Sequence, residues 1–367
     1  MIQHQQSQAA DGSGDGPARV RARASGRVNL IGDHTDYMGG LVLPMAIDLA
    51  TTVEATVGGD RLILDSTAED DRADIALPVT EVATPSGWGR YPAAVAAELG
   101  ATVGLTGTVD STVPYGAGLS SSAALEVATA LALMAAETLR SGLPSPFSDP
   151  VELALLCQRA EHRAVGLPSG IMDQLSICAG RAGFATLIDC ATLELNHVAV
   201  PEEASIWVLH SGQSRQLETS GYAQRRADAE AATAVVGPLP VADIQSIERL
   251  DDPVGKRRAR HVRTECDRVR RFADALAAGD LARAGVEMIA SHESLRDDYE
   301  VSTAQLDALV GQLVATPGVH GARLTGAGFG GCVVALADRD VRLEGWSVRP
   351  SDGTEVTVVG EAGTHPG

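Results

Sequence analysis

The chain has 367 residues, 44% of them hydrophobic and only 3% aromatic, and its 48 acidic and 29 basic residues leave a net charge of −19. That length exceeds one ordinary core and fits one large or two medium domains, with Val, Leu, Ile and Ala filling the interior. The acidic balance argues against nucleic acid or an anionic membrane as partner, and no apolar run reaches the roughly 18 residues of a bilayer span.

Residues 1–17 are polar and rich in Gly, Ser and Asp, without the charged and apolar regions of a signal peptide. They read as a disordered tail, and a cytoplasmic monomer is expected. RVRARASG then reads as a strand entering a loop, LVLPMAIDLATTVEATVG and RLILD as further strands, and GLTGTVDSTV as a strand ending at Pro114. From Leu119, LSSSAALEVATALALMAAETL runs for about twenty residues without Gly or Pro and predicts a buried helix. After a Pro-rich break, Asp149 caps a second helix, PVELALLCQRAEHRAVG. AGFATLIDC and SIWVLHSG return to strand. The second half is helical near 216–236, 257–278, 280–295 and 303–315, followed by strand-like ARLTG, a Gly-rich turn and CVVALA. Residues 337–367 read only as strands closing this half, and the Arg-rich stretch 257–271 as a solvated face. The pattern predicts an α+β protein of two domains divided near residues 190–200. Five scattered cysteines with no zinc spacing read as reduced core residues.

Four segments carry chemistry. Gly116-Ala117-Gly118-Leu119-Ser120-Ser121-Ser122 joins a strand to the strong helix, where glycines permit close approach and free N–H groups make an anion site. The alternative is a glycine turn with a serine N-cap. It is not a Walker A loop, and the only lysine, Lys256, lies far from it, so a P-loop or protein-kinase mechanism is excluded. If the chain transfers phosphoryl groups, it must rely on arginine, Mg²⁺ and backbone amides. Arg27 to Tyr37 crowds Arg, Asn, Asp33, His34, Thr35, Asp36 and Tyr into a glycine-flanked loop, which suits a polyol or is simply a solvated loop. Asp173 sits in the apolar run GIMDQLSICAG and needs a charged partner or a role as base or metal ligand; the alternative is a buried capping Asp. LTGAGFGGC, by itself, indicates a tight turn.

Together, GRVNLIGDHTDYMGG, VPYGAGLSSSAALEVA, AEHRAVGLPSGIMDQ, HSGQSRQLETSGYAQRR, SHESLRDDYEVS and GARLTGAGFGGC closely resemble galactokinases of the GHMP kinase superfamily. The order and spacing fit from about residue 20 to 336. The resemblance implies a GHMP-kinase fold with mixed sheets flanked by helices and the active site between an N-terminal domain (18–195) and a C-terminal domain (196–367). It implies transfer of the ATP γ-phosphoryl to the C1 hydroxyl of galactose, with Asp173 as base and Arg27 steadying the phosphoryl charge. Asp33, His34, Thr35, Asp36 and Tyr222 correspond to sugar-binding positions, and Gly116 to Ser122 to the phosphate loop. Ser122 and Glu161 correspond to Mg²⁺ ligands, and Ser66 to a nucleotide-contacting serine.

Two positions depart from the family pattern. Asp33 replaces a usual Glu that faces the sugar C6 hydroxyl, and Met38 replaces a usual Asn. L-Arabinose, which lacks the C6 group, is therefore an alternative substrate. A non-catalytic galactose- and ATP-binding regulator is disfavoured by the complete SSSAA run and by Asp173.

Overall fold

The computed structural model describes residues 17–80, 87–143, 149–166, 168–213 and 218–359. The expected N-terminal tail lies almost wholly outside these residues. In chain order the elements are β1 (Arg19–Asn29), β2 (Leu41–Val42), β3 (Pro44–Val57), β4 (Arg61–Ser66), β5 (Ala73–Ala76), α1 (Arg90–Leu99), β6 (Leu105–Ser111), α2 (Ser121–Ser141), α3 (Pro150–Val165) and α4 (Met172–Cys178). There follow β7 (Phe184–Asp189), β8 (Leu195–Ala199), β9 (Ala204–His210), α5 (Glu218–Val236), α6 (Ile244–Glu248), α7 (Pro253–Ala277), α8 (Leu281–Asp297), α9 (Ala304–Val314), β10 (Val319–Thr325), β11 (Cys332–Asp338), β12 (Trp346–Val348) and β13 (Thr354–Val359).

These strands form a mixed six-stranded sheet in the order β13-β1-β3-β6-β4-β5, a four-stranded sheet β10-β11-β9-β12 and a small sheet β2-β7-β8. β13 pairs antiparallel with β1, from Arg19 opposite Val359 to Ala24 opposite Thr354. This corrects the expectation that everything after residue 337 closes the second half: β12 joins β9, but the last described strand returns to the first sheet. Its pairing covers the outer edge of β1, which would otherwise present unpaired backbone groups.

The apolar run of α2 is long and hydrophobic enough, by composition alone, to cross a membrane, contrary to the first reading of the sequence. Within the fold, 72% of its most apolar window is buried, with Ala123, Ala124, Val127, Ala128, Leu131 and Leu133 in the main core. It is the central core helix. At the start of α3, the Asp149 carboxylate accepts from the Val151 and Glu152 amides and Pro150 occupies the first turn, as the sequence predicts. The Arg-rich helix α7 is more buried than expected. Arg258, His261, Glu265 and Arg268 are all inside, with Arg258 bonded to Glu300 at 2.6 Å and Arg268 to Glu265 at 2.6 Å, while Arg270 and Arg271 stay on the solvated face. Four of the five cysteines are buried and all are free thiols.

Candidate active site

The register of β1 against β3 shifts between Ser25 and Arg27, and this irregularity aims Arg27 at the mouth of α2. Gly26 makes the approach possible. A Cβ there would lie 2.8 Å from the Leu119 carbonyl, which instead accepts the Arg27 amide at 3.1 Å. The phosphate-type loop is thereby fastened to the edge of the sheet. Its turn places Gly116, Gly118 and Ser120 at positive φ, and Ser120 does so without being glycine, a conformation that its surroundings must enforce.

Ser120 occupies the N-cap position of α2 but makes no capping bond. Its hydroxyl donates to Asp173 Oδ2 at 2.5 Å. The diversion leaves the first amides of α2 without acceptors among the described residues, the arrangement that binds anions at helix N-termini. Arg27 completes the cluster. Its Nε donates to Asp173 Oδ1 at 2.9 Å, Nη2 lies 2.7 Å from the same oxygen, and Nη1 bonds the Gly118 carbonyl. One carboxylate at the start of α4 thus ties β1, the loop and α2 together.

A cavity of about 180 Å³ opens beside this cluster, lined by Arg27, Asp33, His34, Asp36, Glu161, Asp173 and Tyr222, together with Gly326 and Ala327. Asp36 reaches it past Gly170, where any Cβ would collide with the Asp36 carboxylate. Burial, reinforced by the neighbouring charge of Asp173, raises the Asp36 pKa to about 7. His34 stands at φ 64° with Nδ1 2.8 Å from the Tyr37 hydroxyl and Nε2 3.1 Å from the Ala327 carbonyl. These partners require the proton on Nε2, and burial lowers the ring pKa to about 3, so it is neutral. Tyr222 packs its ring 5.7 Å from that of His34 and 5.3 Å from that of Tyr37.

Asp33 is held from behind. Its Oδ1 accepts the Gly326 amide at 3.0 Å and its Oδ2 lies 2.5 Å from Arg323 Nη2. Burial pushes its pKa up, against the opposing pull of Arg323. The LTGAG segment is therefore more than a tight turn: through Gly326 and Ala327 it fixes both Asp33 and His34.

Two expected residues lie elsewhere. The Thr35 hydroxyl is fully buried and bonds the Gly32 and Leu41 carbonyls, so it shapes the loop and does not face the cavity. Ser66, at the end of β4, pairs in register with Val109 of β6 and accepts the Ala68 amide at 3.1 Å, away from the cavity lining.

Glu161 Oε2 takes the Ser169 hydroxyl at 2.6 Å and the Gln174 amide at 3.0 Å, while Oε1 has no protein partner among the described residues. Burial and then Asp173 raise its pKa. Several carboxylates facing one arginine make this end of the cavity short of positive charge, which fits a divalent cation. No cluster of three or more His, Cys, Asp or Glu able to hold a metal occurs among the described residues. A cation held by Glu161 and Ser122 would have to complete its shell with substrate phosphates and water, as Mg²⁺ commonly does.

Arg323, Gln174 and Tyr299 also take part in the site, though the sequence pattern alone assigns them no role. For Arg323 a signal existed: a charge inside the apolar strand ARLTG, the same kind of anomaly that singled out Asp173.

The matches to known proteins follow this geometry. Residues 13–57 match the galactokinase galactose-binding signature, 90–181 the GHMP kinases N terminal domain and 272–344 the GHMP kinases C terminal domain. A galactokinase from Chloroflexus aurantiacus is 41% identical over 360 residues, covering 92% of this chain and 90% of that protein. The chain belongs to the galactokinase family. The crystal structure of Lactococcus lactis galactokinase complexed with galactose has a TM-score of 0.85 at 29% identity, over 92% of this chain and 95% of that one. Methanococcus jannaschii mevalonate kinase, at 20% identity and a TM-score of 0.66 over 90% of this chain and 98% of its own, shares the fold. The expected GHMP-kinase fold, α+β with several sheets flanked by helices, is thus borne out, as is a phosphotransferase activity.

Proposed function

We propose that this galactokinase-family chain transfers the γ-phosphoryl of ATP, in the presence of Mg²⁺, to the C1 hydroxyl of galactose, releasing galactose 1-phosphate and ADP. The observation that carries this reading is the Arg27–Asp173–Ser120 cluster, which joins one carboxylate to both the phosphate-type loop and the cavity lined by polar side chains. Asp173 accepts hydrogen bonds from Arg27 Nε and Ser120 and lies in ion-pair contact with Arg27 Nη2, and a carboxylate offers about four acceptor positions, so at least one remains for the sugar O1–H. As O1 bonds to Pγ and the bond from Pγ to the bridging oxygen of ADP breaks, Asp173 takes the O1 proton. Arg27 and the amides from Gly116 to Ser122, Ala117 and Leu119 among them, meet the charge on the transferring group. Ser122 and Glu161 would hold Mg²⁺, which supplies neutralisation of phosphate charge when bound. Asp33, His34, Asp36 and Tyr222 contact the sugar, with Thr35 holding their loop in shape.

A panel of sugars with Mg-ATP, followed by ADP release, tests the assignment. Turnover with D-galactose is expected, and turnover confined to another sugar overturns it. L-Arabinose belongs in the panel because Asp33 is short and drawn towards Arg323.

A further inference from the structure

Helix α2 carries one charged residue in its buried half, Glu126, and this side chain is wholly inaccessible to solvent. It lies four residues after Ser122 and therefore one turn further along the same helix face. Among the described residues no cation pairs with it. Its Oε2 accepts from Gln174 Nε2 at 3.0 Å, and the same nitrogen donates at 3.0 Å to Glu161 Oε2. Both N–H groups of one amide are thus committed to two carboxyl groups on different helices, and Gln174 adjoins Asp173 on a third.

The far atoms of this chain, Glu126 Oε1 and Gln174 Oε1, are buried without hydrogen-bond partners. A buried acceptor left unsatisfied is destabilising, and an apolar residue at 126 would remove one of the two. The arrangement fixes which way the Gln174 amide points. With an acceptor at 126, the Gln174 nitrogen is anchored between two carboxyl groups; without it, only the bond to Glu161 holds the amide in place, and both are freer to turn. The bond from Gln174, with that from Ser169, occupies Glu161 Oε2 and leaves Oε1 for a ligand.

We propose that Glu126 is a positioning residue that, through the Gln174 amide, holds the Glu161 carboxylate in the orientation that takes up the nucleotide's divalent cation. This rests on Glu161 as a ligand of that cation. Partners behind a metal ligand commonly set affinity by about 10–100-fold.

The test uses the full chain and Mn²⁺ as probe, with binding in the presence of ADP read by electron paramagnetic resonance and galactose binding read by calorimetry. Glu126→Met is expected to weaken Mn²⁺ binding about tenfold. It should leave galactose affinity within about twofold, well inside the spread of an outer-shell effect. Glu126→Gln keeps an acceptor for Gln174 and should restore Mn²⁺ affinity. Gln174→Met should weaken it as Glu126→Met does, and carries the test if Glu126→Met fails to fold. Parent-like Mn²⁺ binding in Glu126→Met or Gln174→Met, or a Glu126→Gln variant as weak as Glu126→Met, overturns the proposal. Glu161→Gln separates the two levels. If it leaves Mn²⁺ binding unchanged, the ligand assignment falls and the positioning role with it. If it weakens binding while the changes at 126 and 174 do not, only the positioning role falls.

Discussion

Arg323 Nη2 lies 2.5 Å from Asp33 Oδ2, with both side chains almost entirely out of solvent. The pair joins β10 to the sugar loop, and Arg323 Nη1 also reaches the Leu30 carbonyl at 3.3 Å. Removing one partner of a buried ion pair strands the other, at a cost of about 3–5 kcal/mol. Arg323→Met should therefore lower unfolding free energy by about that amount in urea titrations. The double variant Asp33→Asn/Arg323→Met should recover part of it, because no buried charge is left alone. Simple additivity of the two single changes would show that the pair is not coupled.

Asp33→Glu places the carboxylate one methylene further from its backbone, with Arg323 and the Gly326 amide still available behind it. The ratio of kcat/KM for galactose to that for L-arabinose should rise several-fold. An unchanged ratio means the shorter side chain already serves the C6 end.

Asp173→Asn retains the shape of the side chain but loses the proposed base and the charge facing Arg27. Turnover should fall by about 10²–10⁴-fold, the range for loss of general-base catalysis, with galactose binding by calorimetry largely kept. Ser120→Ala removes the 2.5 Å bond to Asp173 and should lower kcat more than it raises the galactose KM. A near-normal rate in Asp173→Asn removes it as the base.

Asp36 has a folded pKa near 7, well above the ordinary carboxylate value, so the folded state holds a proton that the unfolded chain releases. Its contribution to stability is fully present below about pH 4 and is lost as pH rises towards 7. The stability of the parent minus that of Asp36→Asn should decline across this window, by on the order of 2 kcal/mol for a partly exposed group. Parallel curves from pH 4 to 7 would contradict the raised pKa.

Gly170→Ala puts a methyl group into the space of the Asp36 carboxylate. The galactose KM should rise at least about tenfold, equivalent to roughly 1.4 kcal/mol, while the melting temperature changes little. Unchanged KM would mean that Asp36 can shift without leaving the sugar.

The local elements were legible in the sequence because their causes are local. Twenty residues without Gly or Pro make α2 a helix, Asp149 before Pro150 starts α3, and glycines at 116 and 118 give the loop its turn. The polar crowding from Arg27 to Asp36 and the anomalous Asp173 marked the site for the same reason: such groups in apolar surroundings need partners. Which partners they take is decided only by tertiary structure. Ser120 reads as a cap and bonds Asp173, 53 residues away, and Thr35 reads as a sugar contact and closes its own loop. Asp33 meets Arg323 and Glu126 meets Gln174 across sequence separations of hundreds and tens of residues, which no periodicity encodes. The return of β13 to β1 was equally hidden, since a strand's pattern fixes that it pairs but not with which edge. Sequence set the chemistry available to this protein, and packing decided which groups were left free to use it.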